Sequence, residues 1–201
     1  IDWDLPSSML PDGISASVSY SPRVSGGYVN DKSVGGSASE GTGAGWDFTA
    51  AHSGLMDGLN VFAGYSTIEK AAAAAGGDNV QTVLGATYAT GAWTVGYQIS
   101  RDNQKSIAEG TSYYDNNAYG VSFAVNDNLS LSYGEMESTR HITNATGNNK
   151  RTTTAESFQL AYTMGGASIK IAETSADNVQ YNNDGSTFDR DGTTVAVTLA
   201  F

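Results

Sequence analysis

Apolar and polar residues alternate with a period of two along most of this chain. The clearest case is Gly192 to Phe201, where Val195, Val197, Leu199 and Phe201 alternate with Thr194, Ala196, Thr198 and Ala200. Strict alternation puts the two sets on opposite faces of a strand. The same period runs through Ile14 to Tyr20, Trp46 to Ala50, Leu59 to Tyr65 and Val80 to Tyr88. It returns in Trp93 to Ile99, Tyr119 to Val125, Leu129 to Tyr133, Phe158 to Met164 and Ile169 to Ile171. Helical spacing fits none of these segments, because Gly and Ser fill too many alternate positions. Ile1 to Pro6 reads as half of one further strand. The pattern predicts an all-β, antiparallel fold of about ten strands plus a half, in one domain over 1–201, with strands near the ~9–11 residues of a tilted bilayer crossing.

The connections alternate between short and long. Residues 55–58, 89–92, 126–128 and 164–167 read as tight turns. Residues 21–44, 102–113, 137–153 and 174–191 read as long loops, and 69–78 as one of medium length. Transmembrane β-barrels have short turns at one rim and long loops at the other. Aromatic residues agree: Tyr88, Trp93, Phe123, Tyr162 and Phe201 lie near the short turns. Tyr20, Trp46, Tyr65, Tyr97, Tyr119 and Tyr133 lie nearer the long loops. Amphipathic rings prefer the two membrane interfaces. The competing expectation is a soluble β-sandwich with these rings in its core.

Composition narrows the picture. No run approaches the ~20 apolar residues of a transmembrane helix. Hydrophobic content is only 39%, which suits strands that hide their apolar residues in alternation. The absence of cysteine removes disulfides and zinc–thiolate chemistry. A net charge of −11 argues against nucleic acid as a partner, since phosphates require Lys and Arg. No phosphate-loop, Gly-x-Ser-x-Gly or His-Glu-x-x-His pattern occurs. His52 and His141 show no acid pairing in the sequence, so no catalytic role is expected.

Two stretches carry a family resemblance. Ile1-Asp-Trp-Asp-Leu-Pro-Ser-Ser-Met-Leu-Pro-Asp-Gly-Ile-Ser-Ala-Ser-Val-Ser-Tyr20 reads as a descending strand, a Pro-containing turn with Gly, and an ascending strand ending in Tyr. The closing Gly-Thr-Thr-Val-Ala-Val-Thr-Leu-Ala-Phe is the second. Together with the strand pattern, these resemble the general bacterial porins, trimeric sixteen-stranded barrels of the Gram-negative outer membrane. The resemblance implies a water-filled channel for passive diffusion of small hydrophilic solutes. It also implies a homotrimer in contact with outer-membrane lipid and lipopolysaccharide. Sixteen strands need roughly 300 residues. The chain therefore reads as the C-terminal portion of a porin, whose N-terminal strands complete the barrel. The absence of an initiator Met or a signal-peptide pattern at Ile1 fits that reading. The alternative is a complete ten-stranded barrel with a structural or adhesive role.

Parity assigns a lumen. Asp2, Asp4, Asp47, Gln98, Gln159, Lys170 and Arg190 each oppose the apolar residues beside them and are expected to line the pore. Charge selectivity is expected to be weak. The net charge favours cations, yet much of it sits in loops. No resident cofactor is expected. Asp177, Asp184, Asp189 and Asp191 form an acidic group in the last loop whose oxygens suit Ca²⁺. A plain solvated loop is the competing reading.

Overall fold

A computed structural model of the chain describes residues 1–22, 42–70, 78–103, 112–144, 147–181 and 188–199. These fold into one antiparallel sheet of eleven strands, each bonded to the next in chain order. The strands are β1 (Asp2–Asp4), β2 (Ile14–Ser21), β3 (Thr42–His52), β4 (Leu59–Lys70), β5 (Asn79–Thr90) and β6 (Trp93–Asn103). They continue as β7 (Ser112–Ala124), β8 (Leu129–Asn144), β9 (Gly147–Met164), β10 (Ala167–Asp177) and β11 (Arg190–Leu199). The all-β, antiparallel expectation is met, and β1 is the half strand read from Ile1 to Pro6. Among the described residues the sheet is not closed: β1 bonds β2 alone, and β11 bonds β10 alone.

Local chemistry explains the short turns. Gly13, Gly58, Gly91 and Gly165 each adopt positive φ, between 56° and 80°, which an L side chain resists. A Cβ on Gly58 would come within 2.0 Å of the Ala89 carbonyl oxygen. The turn between β7 and β8 uses a side chain instead. The Asn126 carboxamide oxygen accepts from the backbone N–H groups of Asn128 and Leu129, both at 2.9 Å. This is an Asx turn.

One hairpin departs from expectation. Residues 137–144 and 147–153, read as parts of a long loop, belong instead to β8 and β9, which pair as far as Asn144 and Gly147. Glu137 to Ile142 and Lys150 to Thr154 keep the strand period with Ser, Thr and charged residues. The ladder needs only the backbone, so it continues after large apolar side chains have stopped.

The sheet has no core of its own. Among the described residues no hydrophobic side chain is buried. Register explains why. Residues paired across strands share a face, so the pairings carry one face from β1 to β11. Trp3, Phe48, Leu84, Val95, Ile99, Phe158, Ile171 and Val197 share one face and are exposed. Among the described strand residues, Met136 is the one large exposed hydrophobic on the other face. Aromatic pairs sit on the apolar face: Tyr20 with Trp46 at 4.5 Å and Trp93 with Phe123 at 4.4 Å between ring centres.

Candidate functional site: the polar face

The polar face is built mainly from Gly, Ala, Ser, Thr and Asn, with charges at intervals. One cross-strand row shows how register assembles it. Asp2 pairs with Ser19, Ser19 with Asp47, Asp47 with Ser66, and Ser66 with Gln81. Gln81 pairs with Asp102, Asp102 with Tyr114, Tyr114 with Arg140, and Arg140 with Arg151. A second row runs from Gln98 through Ala118, Met136, Ala155 and Ala176 to Arg190. Gln159 pairs with Ser132 and Ala172, and Lys170 with Ala161 and Ala196. Every residue assigned to a lumen by parity therefore falls on this one face: Asp2, Asp4, Asp47, Gln98, Gln159, Lys170 and Arg190.

The register adds a feature that individual parities did not reveal. Among the described side chains, the acids on this face are Asp2, Asp4, Asp47 and Asp102, all on β1 to β6. The bases are Arg140, Arg151, Lys170 and Arg190, all on β8 to β11. Asp102, Arg140 and Arg151 were missed because they fall within stretches read as loops. Hydroxyls support the acidic half. Ser19 Oγ donates to Asp47 Oδ2 at 2.7 Å, and the Ser17 and Thr49 hydroxyls are 2.7 Å apart. In the centre, Asn116 Nδ2 donates to Ser100 Oγ at 3.1 Å. Gln159 Nε2 donates to Ser157 Oγ at 3.3 Å.

Size also distinguishes the face. Phe62 is a bulky exception, and its ring lies over Gly85, where a Cβ would come within 2.4 Å of Cζ. An open hollow of about 380 Å³ is lined partly by Asp47, Gln81, Gln98 and Asp102. Another of about 590 Å³ is lined partly by Asn116, Ser138, Thr153 and Tyr181.

The apolar face carries its own polar clusters toward the long-loop end. Arg101 grips Asp115 with two bonds, Nε to Oδ1 at 2.6 Å and Nη2 to Oδ2 at 3.0 Å. His141 Nε2 lies 3.2 Å from Asp115 Oδ2, and its ring stacks on Tyr113 at 4.2 Å. This acid–His pair was not visible in the sequence. It lies on the apolar face, and Asp115 is already held by Arg101. Further along, Glu135 and Glu156 are direct register partners, and Tyr133 Oη donates to both, at 3.0 and 2.9 Å. The apolar stretch is correspondingly short on β8, from Leu129 to Tyr133, whereas on β6 it runs from Trp93 to Ile99.

Of the acidic group of the last loop, Asp177, Asp189 and Asp191 are among the described residues. Among the described residues no three His, Asp or Glu side chains gather where one ion could sit. Asp177 pairs in register with Thr154, and Asp191 with Ser175, both on the apolar-face parity. Asp189 Oδ1 accepts from the Asn178 backbone N–H at 3.0 Å. Asp184 lies outside the described residues. Compared with known proteins, the chain matches no family model and no curated protein.

Proposed function

We propose that this chain forms part of the wall of an outer-membrane diffusion channel, with its apolar face in lipid and its polar face on water. The observation that carries this reading is the separation of the faces without a core. A soluble sheet would bury its apolar face against a second layer. Here Trp, Phe, Leu, Ile and Val stand exposed on one side, across strands of 10 to 18 residues from β3 onward. A bilayer supplies the missing second layer.

The edges of β1 and β11 require partners, because unpaired backbone groups in hydrocarbon cost several kcal/mol each. Further strands of the same protein supply them in this reading and close the barrel. Its small polar-face side chains then surround water rather than fill the interior, which favours a wide channel over a compact ten-stranded barrel. The acidic half facing the basic half sorts solutes by charge as they pass. The homotrimer belongs to the same proposal. Glu135 and Glu156 suit a surface covered by protein better than one facing lipid tails.

The test is conductance of the whole purified protein in a planar lipid bilayer. Stepwise, ohmic current increments are expected. Stable insertion with no current would overturn the channel reading and favour a structural role.

A further inference from the structure

The connection from β10 to β11 does not stand clear of the sheet. Its first part, Asn178 to Tyr181, lies across the polar faces of β9, β8 and β7. Thr153 Oγ1 donates to the Asn178 carbonyl at 2.7 Å, and Arg151 Nη1 donates to the Tyr181 carbonyl at 3.2 Å. The Tyr181 hydroxyl lies 2.7 Å from Ser138 Oγ, and Ser138 in turn donates to the Asn116 side-chain oxygen. The Tyr181 ring packs on Tyr114 at 5.3 Å. A connection between two adjacent strands has no topological need to cross three others, each ~4.8 Å further away.

The backbone there is unfavourable by itself. Asn178, Gln180 and Tyr181 have φ of 54°, 67° and 57°, a region that costs a non-glycine residue about 1 kcal/mol or more. The contacts to Thr153, Arg151, Ser138 and Tyr114 hold the turn in place. Their effect is visible in burial: Ser138 is 9% exposed, one of two buried polar side chains among the described residues. Beneath the turn, Arg140 and Arg151 are register partners, a juxtaposition of like charges that is unfavourable unless other groups compensate.

We infer that the turn Asn178–Tyr181 is a built constriction on the basic wall of the channel. Tyr181 narrows the passage and positions Arg151, so that small oxyanions, carboxylates or phosphates, are the solutes it discriminates. This rests on the channel reading above. Tyr181 and Arg151 are the specificity-determining pair.

The experiment is single-channel recording of the whole protein in a KCl gradient, with inorganic phosphate as the added probe. Tyr181→Ala is expected to raise conductance roughly 1.5-fold, because pore cross-section limits ion flow. It is also expected to weaken block by phosphate. Arg151→Gln is expected to shift the reversal potential toward potassium. Should Tyr181→Ala fail to assemble, Tyr181→Phe removes only the hydroxyl bond. Tyr181→Cys adds a unique thiol to these 201 residues, which contain no cysteine. A bulky thiol reagent on that variant is expected to lower the current, whereas the same reagent on Val195→Cys is not. A conducting parent protein whose current, phosphate block and thiol response ignore residue 181 would overturn this inference alone. A parent protein that never conducts would overturn the channel reading and this inference together.

Discussion

On β6, Trp93, Val95, Tyr97 and Ile99 look one way and Thr94, Gly96, Gln98 and Ser100 the other. The two sets share a backbone and a ladder, yet they answer to different solvents. The first set is bulky, and all four of its members are at least 41% exposed. The second is small or polar and leaves space. Burial cannot explain the contrast, because neither set is covered by another part of the described chain. The environment outside the sheet must differ from one side to the other. That requirement, more than the strand count, is what supports the proposal of a membrane wall.

The largest expected effect comes from putting charge on the wrong face. Leu84→Arg should lower stability in lipid by about 2–4 kcal/mol, the cost of Arg near the bilayer midplane. Val83→Arg, one residue away on the polar face, should cost less than ~1 kcal/mol. Urea titration of protein refolded into vesicles would measure both. Equal costs would break the comparison.

The next effect concerns the two halves of the polar face and is read as ion selectivity. Asp47→Lys should shift the reversal potential in a KCl gradient toward chloride. Arg190→Asp should shift it toward potassium. Opposite signs from opposite halves would sharpen the assignment of an acidic and a basic wall. Shifts of the same sign would contradict it.

A smaller effect tests packing within the polar face. Gly85→Val drives a side chain into the Phe62 ring, an overpacking cost of about 1–3 kcal/mol. Phe62→Ala in the same protein should recover much of that loss in the same titration. Smallest of all is Arg101→Gln. The Arg101 side chain is 55% exposed and its Asp115 partner 34%. Loss of this pair should cost at most about 1 kcal/mol.

Much of the fold was legible because alternation is a local property. Val195, Val197 and Leu199 announce their strand without reference to any other residue. The same parity was enough to put Asp2, Asp47, Gln98, Lys170 and Arg190 on one face. Features that depend on distant partners were not legible. Tyr181 and Ser138 are 43 residues apart, and Thr153 and Asn178 are 25 apart. The separation of acids from bases also needed the register, since Asp102 and Arg140 share a cross-strand row and no local pattern: Asp102 pairs with Tyr114 and Tyr114 with Arg140. The long β8–β9 hairpin was hidden for another reason. Beyond Tyr133 its strand residues become Glu, Ser, Thr and Arg, so the hydrophobic signal ends before the ladder does.

The most direct test of the two-faced wall is a cysteine scan along β6, since these 201 residues contain no cysteine. Single cysteines at Thr94, Val95, Gly96, Tyr97, Gln98, Ile99 and Ser100 would be exposed to a water-soluble maleimide in the protein reconstituted into vesicles. Fast labelling is expected at 94, 96, 98 and 100, with protection at 95, 97 and 99 that is lost on unfolding. Uniform labelling along the strand, or the reverse alternation, would contradict the account.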